Sequence, residues 1–302
     1  MNISLDDLAF LISTRGQSLL TALRGEDLRD SALLAVITTL RKTYTGDQAR
    51  AAVELARLRR QAVDKFGVDA DKLYFTRDAL EQASDPRIRR YRARMSFAGE
   101  LVDIGCSIGS DSLAFALGGK VVHGIDLDPV RVEMARLNAA ALGVTNARFE
   151  VADALTYEIP EHMGIFFDPG RRDERGNRIA NVERYYPPLS TIRRWKGKSG
   201  RMMVKLSPGV DLDELADYRG TLQFLSVDGD LKEAVLHHNK RDAKLHLAAT
   251  LITPDEQVYY WDWDSAPVAT RRVLSKPRAW LIEPDPALLR AGKVESAAAA
   301  WG

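Results

Sequence analysis

The chain has 302 residues with 45% apolar content, a formal net charge of +1 and one cysteine. This length predicts roughly two domains with buried cores, and the near-neutral charge excludes a global nucleic-acid-binding surface, so that any basic surface must be local. A single cysteine excludes an internal disulfide. No run approaches the roughly 18 apolar residues of a membrane helix, and the N-terminus lacks the basic start of a signal peptide. We therefore expect a cytoplasmic protein.

The first 95 residues predict a separate helical domain. Ser4 is placed as an N-cap, and residues 47–66 keep apolar side chains at helical spacing. The domain carries two dense cationic runs: Arg57, Arg59, Arg60 and Lys65, and then Arg87, Arg89, Arg90, Arg92 and Arg94. Such runs are usually solvated helix faces, and the second, more purely basic run is the better candidate for contact with nucleic acid.

From residue 101 the pattern alternates between strands and helices. Strands are predicted near 101–104, 121–126, 147–151, 164–168 and 201–206, with helices near 110–118 and 129–142. This alternation predicts a doubly wound parallel sheet. Two further strands, 222–227 and 233–237, are joined by Asp228-Gly-Asp, which predicts a hairpin, and a third spans 244–252.

The first of these strands ends at Asp103 and breaks into a turn containing Gly105 and Gly109 before a helix. Such a turn lets the main chain approach a nucleotide-like ligand at the helix N-terminus. The next strand ends at Asp126, 23 residues after Asp103, near the spacing at which a carboxylate meets ribose hydroxyls. Ser107 takes the place of the middle glycine of Gly-x-Gly-x-x-Gly and the third glycine is missing, which argues against a nicotinamide-dependent oxidoreductase.

Four successive strand ends, at Asp103-Ile-Gly-Cys, Gly124-Ile-Asp-Leu-Asp-Pro, Phe149-Glu-Val-Ala-Asp-Ala and Phe166-Phe-Asp-Pro-Gly-Arg, resemble class I S-adenosylmethionine-dependent methyltransferases. The resemblance implies an α/β, Rossmann-like sheet with a late antiparallel hairpin, and S-adenosyl-L-methionine as cofactor. It assigns Asp103 and the 105–109 turn to the methionine part, Asp126 to the ribose and Asp153 to the adenine amino group. The full expected cofactor set is Asp103, Gly105, Cys106, Ser107, Gly109, Asp111, Asp126, Leu127, Asp153 and Ala154. Cys106 is interpreted as a packing residue rather than a nucleophile.

The resemblance assigns Asp168-Pro169 to the acceptor side. Amino-methylating relatives have Asn/Asp/Ser-Pro-Pro-aromatic here, whereas this chain has Gly170 for the second proline and Arg171 for the aromatic residue. We take Asp168, Pro169 and Arg171 as the catalytic set, with a loop cap as the structural alternative for Asp168. Arg171 and Arg172 are candidates for phosphate or base contact. Tyr185 and Tyr186 either stack on the acceptor or pack in the core.

The whole chain resembles bacterial methyltransferases that have a helical N-terminal region and a THUMP-like C-terminal domain. Matching segments are 71–83, 168–172, 226–230 and 281–292. The predicted division is 1–95, 96–270 and 271–302, the last being the start of a truncated THUMP-like domain. Residues 287–301 are expected to form one amphipathic helix, which either docks on the sheet or belongs to that domain.

These resemblances imply an RNA methyltransferase acting on a tRNA or rRNA base. The segment 103–153 also resembles trimethylguanosine synthases, which indicates guanine N2 chemistry, although the Pro-Pro-Trp of those enzymes is missing. A catalytically silent fold that binds RNA or another partner is the alternative. The sequence leaves open RNA versus protein as acceptor and the oligomeric state. The spacing of its histidines predicts no metal site.

Overall fold

The computed structural model describes residues 3–95, 99–173, 175–195, 201–238, 242–262 and 282–301. The chain divides into two compact units, the first made of Met1–Pro86 and Cys106–Asp153 and the second of Arg87–Gly105 and Ala154–Gly302. The helices described are α1 Leu5–Ile12, α2 Thr14–Leu23, α3 Asp30–Leu40, α4 Gly46–Gln61, α5 Val63–Phe66, α6 Arg77–Gln82, α7 Pro86–Met95, α8 Ser110–Leu117, α9 Pro129–Ala141, α10 Ile192–Trp195, α11 Pro286–Ala291 and α12 Val294–Trp301. The strands described are β1 Glu100–Ile104, β2 Val121–Asp126, β3 Ala147–Val151, β4 Gly164–Phe167, β5 Met202–Leu206, β6 Gly220–Val227, β7 Asp230–His238, β8 Leu245–Ile252 and β9 Val258–Trp261.

The first unit joins the N-terminal helices to α8, α9 and the parallel pair β2–β3. Helix α1 begins with the expected cap: the Ser4 side chain accepts from the Asp7 main-chain N–H, and the Asp7 carboxylate accepts from the Ser4 N–H. Apolar side chains from the N-terminal helices share one buried core with Ile108 and Met134. The N-terminal helices are therefore packed on α9 by a common apolar core, which contributes about 25 cal/mol per Å² of apolar surface buried.

The cations of the first basic run mostly satisfy main-chain oxygens of the same unit. Arg60 donates to three carbonyls at the end of α2, and Lys65 donates to three at the end of α6. Arg59 is buried, donates to the Leu73 carbonyl and lies over the Tyr74 ring. The last carbonyls of a helix lack intrahelical partners, so cations placed there stabilise the helix ends.

The described residues of the second unit form seven strands in the order β1-β4-β5-β7-β6-β8-β9. Strands β1, β4 and β5 are parallel, whereas β7 runs antiparallel to both β5 and β6. The β6–β7 turn contains Asp228 and Gly229, both with positive φ, which suits the tight right-twisted connection of a hairpin. The predicted α/β class and late antiparallel hairpin are thus confirmed. Sequence patterning did not predict that β8 would pair in parallel with β6, or that β9 would form the edge.

The C-terminal residues form two helices, so the prediction of a single helix over 287–301 is wrong. Helix α11 ends at Gly292, whose left-handed φ of +64° stops the helix. Arg290 of α11 lies over the Phe224 ring and donates to the Val210 carbonyl, while Asp285 accepts from the Ser226 hydroxyl. Helix α11 therefore docks on the β6 face. The expected domain boundary at 270/271 lies outside the described residues, and the three-part division and THUMP-like assignment stay predictions.

Helix α7, which carries the second basic run, is held inside the second unit by ion pairs. Arg92 is 2% exposed, pairs with buried Glu233 and lies over the Phe166 ring. Arg87 pairs with Asp228, and Arg90 pairs with Glu256. Arg89 is buried as well. The run is therefore not a uniformly exposed basic face, because acids distant in sequence pair with three of its five arginines; its contact with RNA stays a prediction. Among the described residues, no helix combines the length and apolar content needed to cross a membrane.

Candidate functional site

The glycine turn takes the conformation that its sequence predicts. Gly105, Ser107 and Gly109 all have positive φ, and Gly109 is the N-cap residue of α8. Asp103 is buried at the end of β1, and Asp111 is buried in the first turn of α8. Ser107 adopts the left-handed conformation although it lacks the freedom of glycine, so the surrounding contacts must stabilise it.

Residue 105 must be a glycine because the main chain that follows β4 lies directly against it. A Cβ atom at residue 105 would lie 2.5 Å from the main-chain oxygen of Asp168, and the φ of Gly105 is +78°. The main-chain N–H of Asp168 donates to the Ile104 carbonyl at 3.0 Å. Residues 168–170, which follow β4, are called the acceptor turn below. Its first residue and the first residue of the glycine turn are therefore in main-chain contact, which only glycine permits at residue 105.

In the first unit, Asp126 anchors the next part of the turn. Its carboxylate accepts from the Ser107 N–H at 2.8 Å and from the Asp128 N–H at 2.9 Å. Burial raises the pKa of Asp126, although these two main-chain donors oppose the increase. The Oγ atom of Ser107 is itself buried and, within the described part of the chain, makes no hydrogen bond. This polar atom and the Asp126 carboxylate fit a hydroxyl-bearing ligand, since both retain hydrogen-bonding capacity.

The other expected cofactor residues are placed by neighbouring elements. Cys106 is buried in an apolar cluster that includes Phe149 and Val132, in keeping with a packing role. Leu127 is exposed directly after β2, and Asp153 and Ala154 are partly exposed after β3. None of these observations tests a cofactor role for the residues, and the assignments stay predictions.

Asn138 is a positioning residue that sequence reasoning did not single out. Its buried side-chain amide donates to the Ile108 and Tyr74 carbonyls, both at 3.1 Å, and its oxygen accepts from the Tyr74 N–H at 2.7 Å. It therefore connects α9 to the glycine turn and to the N-terminal helical region. An asparagine inside a helix gives no such signal from sequence, because its partners are distant along the chain.

In the second unit, Asp168 lies in a cationic setting. Its Oδ2 is 2.8 Å from Lys205 Nζ on β5, and its Oδ1 is 3.5 Å from Arg171 Nη2. Burial raises the pKa of Asp168, but the Lys205 ammonium and the Arg171 guanidinium outweigh burial and leave this pKa below its usual range. Pro169 is buried beside it. The structure thus brings Asp168 and Arg171 together, and it adds Lys205, whose role the sequence left undefined.

The connection between β4 and β5, residues 168–201, concentrates positive charge. It contains ten Lys or Arg and four Asp or Glu, a net of +6, whereas the whole chain is +1. Among its described arginines, all except Arg171 are exposed: Arg172, Arg175, Arg178, Arg184, Arg193, Arg194 and Arg201. Residues 171–173 and 175–179 lie antiparallel to each other: Arg172 bridges Arg178, and the Ile179 N–H donates to the Arg171 carbonyl. The local basic surface therefore follows Asp168 directly.

The two tyrosines of this connection have opposite environments. Tyr185 is 2% exposed and Tyr186 is 55% exposed. Burial raises the pKa of the Tyr185 phenol. Tyr185 is thus a packing residue, whereas Tyr186 is available for contact with a ligand.

Comparison with known proteins adds an independent observation. A family model described as a methyltransferase domain matches residues 98–204, and one described as a domain of unknown function matches residues 4–62. An uncharacterized S-adenosylmethionine-dependent methyltransferase of Mycobacterium tuberculosis H37Rv is 33% identical over 267 residues, which cover 85% of this chain and 71% of that protein. An uncharacterized RNA methyltransferase of Bacillus cereus ATCC 10987 is 32% identical over 90 residues, or 30% of this chain and 19% of that protein.

Among solved structures, the crystal structure of a proposed methyltransferase from Porphyromonas gingivalis W83 is similar to this chain with a TM-score of 0.63. The identity is 18%, and the match covers 90% of this chain and 75% of that one. At this identity the likeness shows the fold alone. It supports the Rossmann-like sheet that strand alternation predicts.

Proposed function

The chain belongs to the S-adenosylmethionine-dependent methyltransferases, and we propose that it methylates a base of RNA, in tRNA or rRNA. Its cofactor is S-adenosyl-L-methionine, which when bound supplies an electrophilic methyl group on a sulfonium. Methyl transfer is an in-line displacement, so the protein's main task is to place the acceptor atom about 3 Å from that methyl group. The residues of the chain must therefore hold the cofactor, orient the acceptor and exclude water.

The proposed cofactor contacts use groups that the fold has already oriented. We assign Asp126 to the ribose hydroxyls, because two main-chain donors hold its carboxylate at the end of β2. The Ser107 hydroxyl and the main-chain N–H groups at the start of α8 line the same turn. The remaining assignments are Asp103 and Gly105–Gly109 to the methionine part and Asp153 to the adenine amino group.

The proposed role of Asp168 follows from its pKa. Because Lys205 and Arg171 lower that pKa, the carboxylate is ionised at neutral pH and is a poor proton acceptor. It can nevertheless accept a hydrogen bond from an exocyclic amine and so fix the direction of the nitrogen lone pair. Asp168 is thus an orienting group rather than a general base. This role suits an amino group such as guanine N2 as the acceptor.

The charge of the β4–β5 connection is the observation that carries the RNA proposal. Phosphate contacts supply much of the affinity of nucleic-acid-binding proteins. The connection of net charge +6 contains the acceptor turn, whereas three of the five arginines of α7 are used in ion pairs with acids of the same chain. The similarity over 90 residues to a bacterial RNA methyltransferase is in keeping with this assignment.

Mass spectrometry of modified nucleosides tests the proposal. We expect RNA from cells lacking the gene to lose one methylated nucleoside, and the purified protein to restore it with S-adenosyl-L-methionine. An Asp168→Ala variant should bind the cofactor product but not restore the nucleoside. Unchanged RNA nucleosides together with a methylated protein would contradict the RNA proposal, and cofactor binding without any transfer would favour the catalytically silent alternative.

Salt dependence locates the RNA surface. Reversal of one exposed arginine of the connection, in Arg178→Glu, should weaken RNA binding and flatten the log–log salt slope by about 0.7 for the lost phosphate contact. Lys232→Glu on β7 is the matched control, because Lys232 is exposed but lies outside the connection. Equal effects of both changes would show that total charge, and not this surface, determines the affinity.

The proposal includes a cytoplasmic location, which cell fractionation would check.

A further inference from the structure

Tyr186 combines a large exposed ring with a fixed main chain. It is more than half exposed, whereas the adjacent Tyr185 is buried. The backbone of Tyr185 is extended, so the two consecutive side chains point in opposite directions. Burial of the first ring therefore directs the second outward.

The main chain of Tyr186 is hydrogen-bonded to the acceptor turn. The Gly170 N–H donates to the Tyr186 carbonyl at 2.7 Å, and the Tyr186 N–H donates to the Gly170 carbonyl at 2.9 Å. A Cβ atom at residue 170 would lie 3.1 Å from the Tyr186 oxygen, so glycine permits this close approach. Gly170 is two residues from Asp168. The exposed ring is thus tied, through two hydrogen bonds, to the turn that carries the orienting carboxylate.

The segment before Tyr186 is anchored as well. The Glu214 carboxylate accepts from the Val182 N–H at 2.8 Å and from the Asn181 amide at 3.0 Å. The Tyr218 hydroxyl donates to Glu183 at 2.6 Å. These contacts limit the movement of residues 181–186, so that the ring is presented from a rigid support.

Exposed aromatic residues on a surface are common and need no explanation by themselves. Tyr186 differs because exposed arginines on both sides share its connection and because it is bridged to the acceptor turn. Single-stranded nucleic acid is typically bound by cations that contact the backbone and by aromatic rings on which bases stack. Arg171, next to Gly170, is directed to Asp168 and offers no ring.

We infer that Tyr186 is the residue on which the acceptor base stacks, with Asp168 contacting an edge of the same base. This inference rests on the proposed function and specifies its substrate as a nucleotide whose base is unstacked from its neighbours. A stacked ring fixes the plane of the base, and the carboxylate fixes its rotation within that plane. Together they restrict the acceptor nitrogen to one orientation.

The test compares Tyr186→Leu and Tyr186→Phe in methyl transfer to RNA from cells lacking the gene. Loss of base–aromatic stacking should lower kcat/KM of Tyr186→Leu by roughly 10- to 100-fold, whereas Tyr186→Phe should stay within about 2-fold of wild type. Binding of S-adenosylhomocysteine, measured by calorimetry, should be unchanged in both variants. Tyr260→Leu is the control, because Tyr260 is 49% exposed on β9, five strands from β4 in the second unit.

Each result decides the inference. Wild-type kcat/KM in Tyr186→Leu, or an equal loss in Tyr186→Phe, would overturn the stacking role while leaving RNA methylation intact. Failure of the wild-type protein to methylate or bind RNA would overturn the proposed function, and the inference with it. A loss in Tyr186→Leu that is matched by Tyr260→Leu would show a general effect of removing surface aromatic rings and would also overturn the stacking role.

Discussion

Replacement of Gly105 by alanine tests the contact between the glycine turn and the acceptor turn. The new Cβ would be placed 2.5 Å from the Asp168 oxygen, well inside van der Waals contact, at a φ of +78°. A left-handed conformation costs a residue with a side chain about 1–2 kcal/mol, and forcing an extra methyl group into a packed site costs about 1–3 kcal/mol. We therefore expect Gly105→Ala to lower the free energy of unfolding by about 2–5 kcal/mol.

Gly119→Ala is the matched control for the backbone conformation. Gly119 has a φ of +83°, and a Cβ at this position would have no neighbour within 4 Å. This variant should therefore lose only the conformational part, about 1–2 kcal/mol. Urea unfolding of both variants measures the difference. Calorimetry with S-adenosylhomocysteine should show weaker binding in Gly105→Ala, because the turn must shift away from β4, and no change in Gly119→Ala.

The reasoning would be refuted by equal destabilisation of the two variants. Such a result would mean that the 2.5 Å approach is relieved at no cost, and that glycine is needed at residue 105 for its backbone angles alone. Unchanged cofactor affinity in a destabilised Gly105→Ala would separately refute the link between this contact and the cofactor turn.

Three further predictions concern the charged and polar groups. Asp126→Ala should weaken S-adenosylhomocysteine binding by about 1.5–3 kcal/mol, the range for a hydrogen bond to a charged group, and calorimetry that finds unchanged affinity would contradict the ribose assignment. Lys205→Met should destabilise the fold by about 3 kcal/mol at pH 7, at the lower end of the range for breaking a buried pair because a second cation remains near Asp168. Since the folded-state pKa of Asp168 is lowered, its ionisation stabilises the fold above pH ~4, and this contribution is lost as the pH falls through the lowered pKa. The Lys205→Met effect in urea unfolding should therefore shrink as the pH is taken below about 4, and a pH-independent effect would contradict the pairing. Asn138→Ala should cost about 1–3 kcal/mol by leaving buried main-chain groups unpaired, and Asn138→Asp should cost at least as much at pH 7 in the same assay, because a buried carboxylate would face the Ile108 and Tyr74 carbonyl oxygens.

Sequence alone was sufficient for features that depend on neighbouring residues. The Ser4 cap, the glycine turn after β1 and the hairpin at Asp228-Gly229 follow from local backbone preferences, and the alternation of strands and helices follows from side-chain periodicity. The same local logic made the arginines of α7 look like an exposed basic face. It also made residues 287–301 look like one helix, although the single glycine that divides them is visible in the sequence.

Tertiary structure decided the features that join residues distant in the chain. Sequence patterning could not show that Arg92 would be buried against Glu233, 141 positions away, because periodicity does not identify the partner of a charge. The same holds for Lys205 beside Asp168, for Asn138 beneath the glycine turn, and for the choice of Tyr186 over Tyr185 as the exposed ring. The order of residue types determines which local structures can form, whereas packing of the whole chain determines which charges are neutralised inside the protein and which remain available to a substrate.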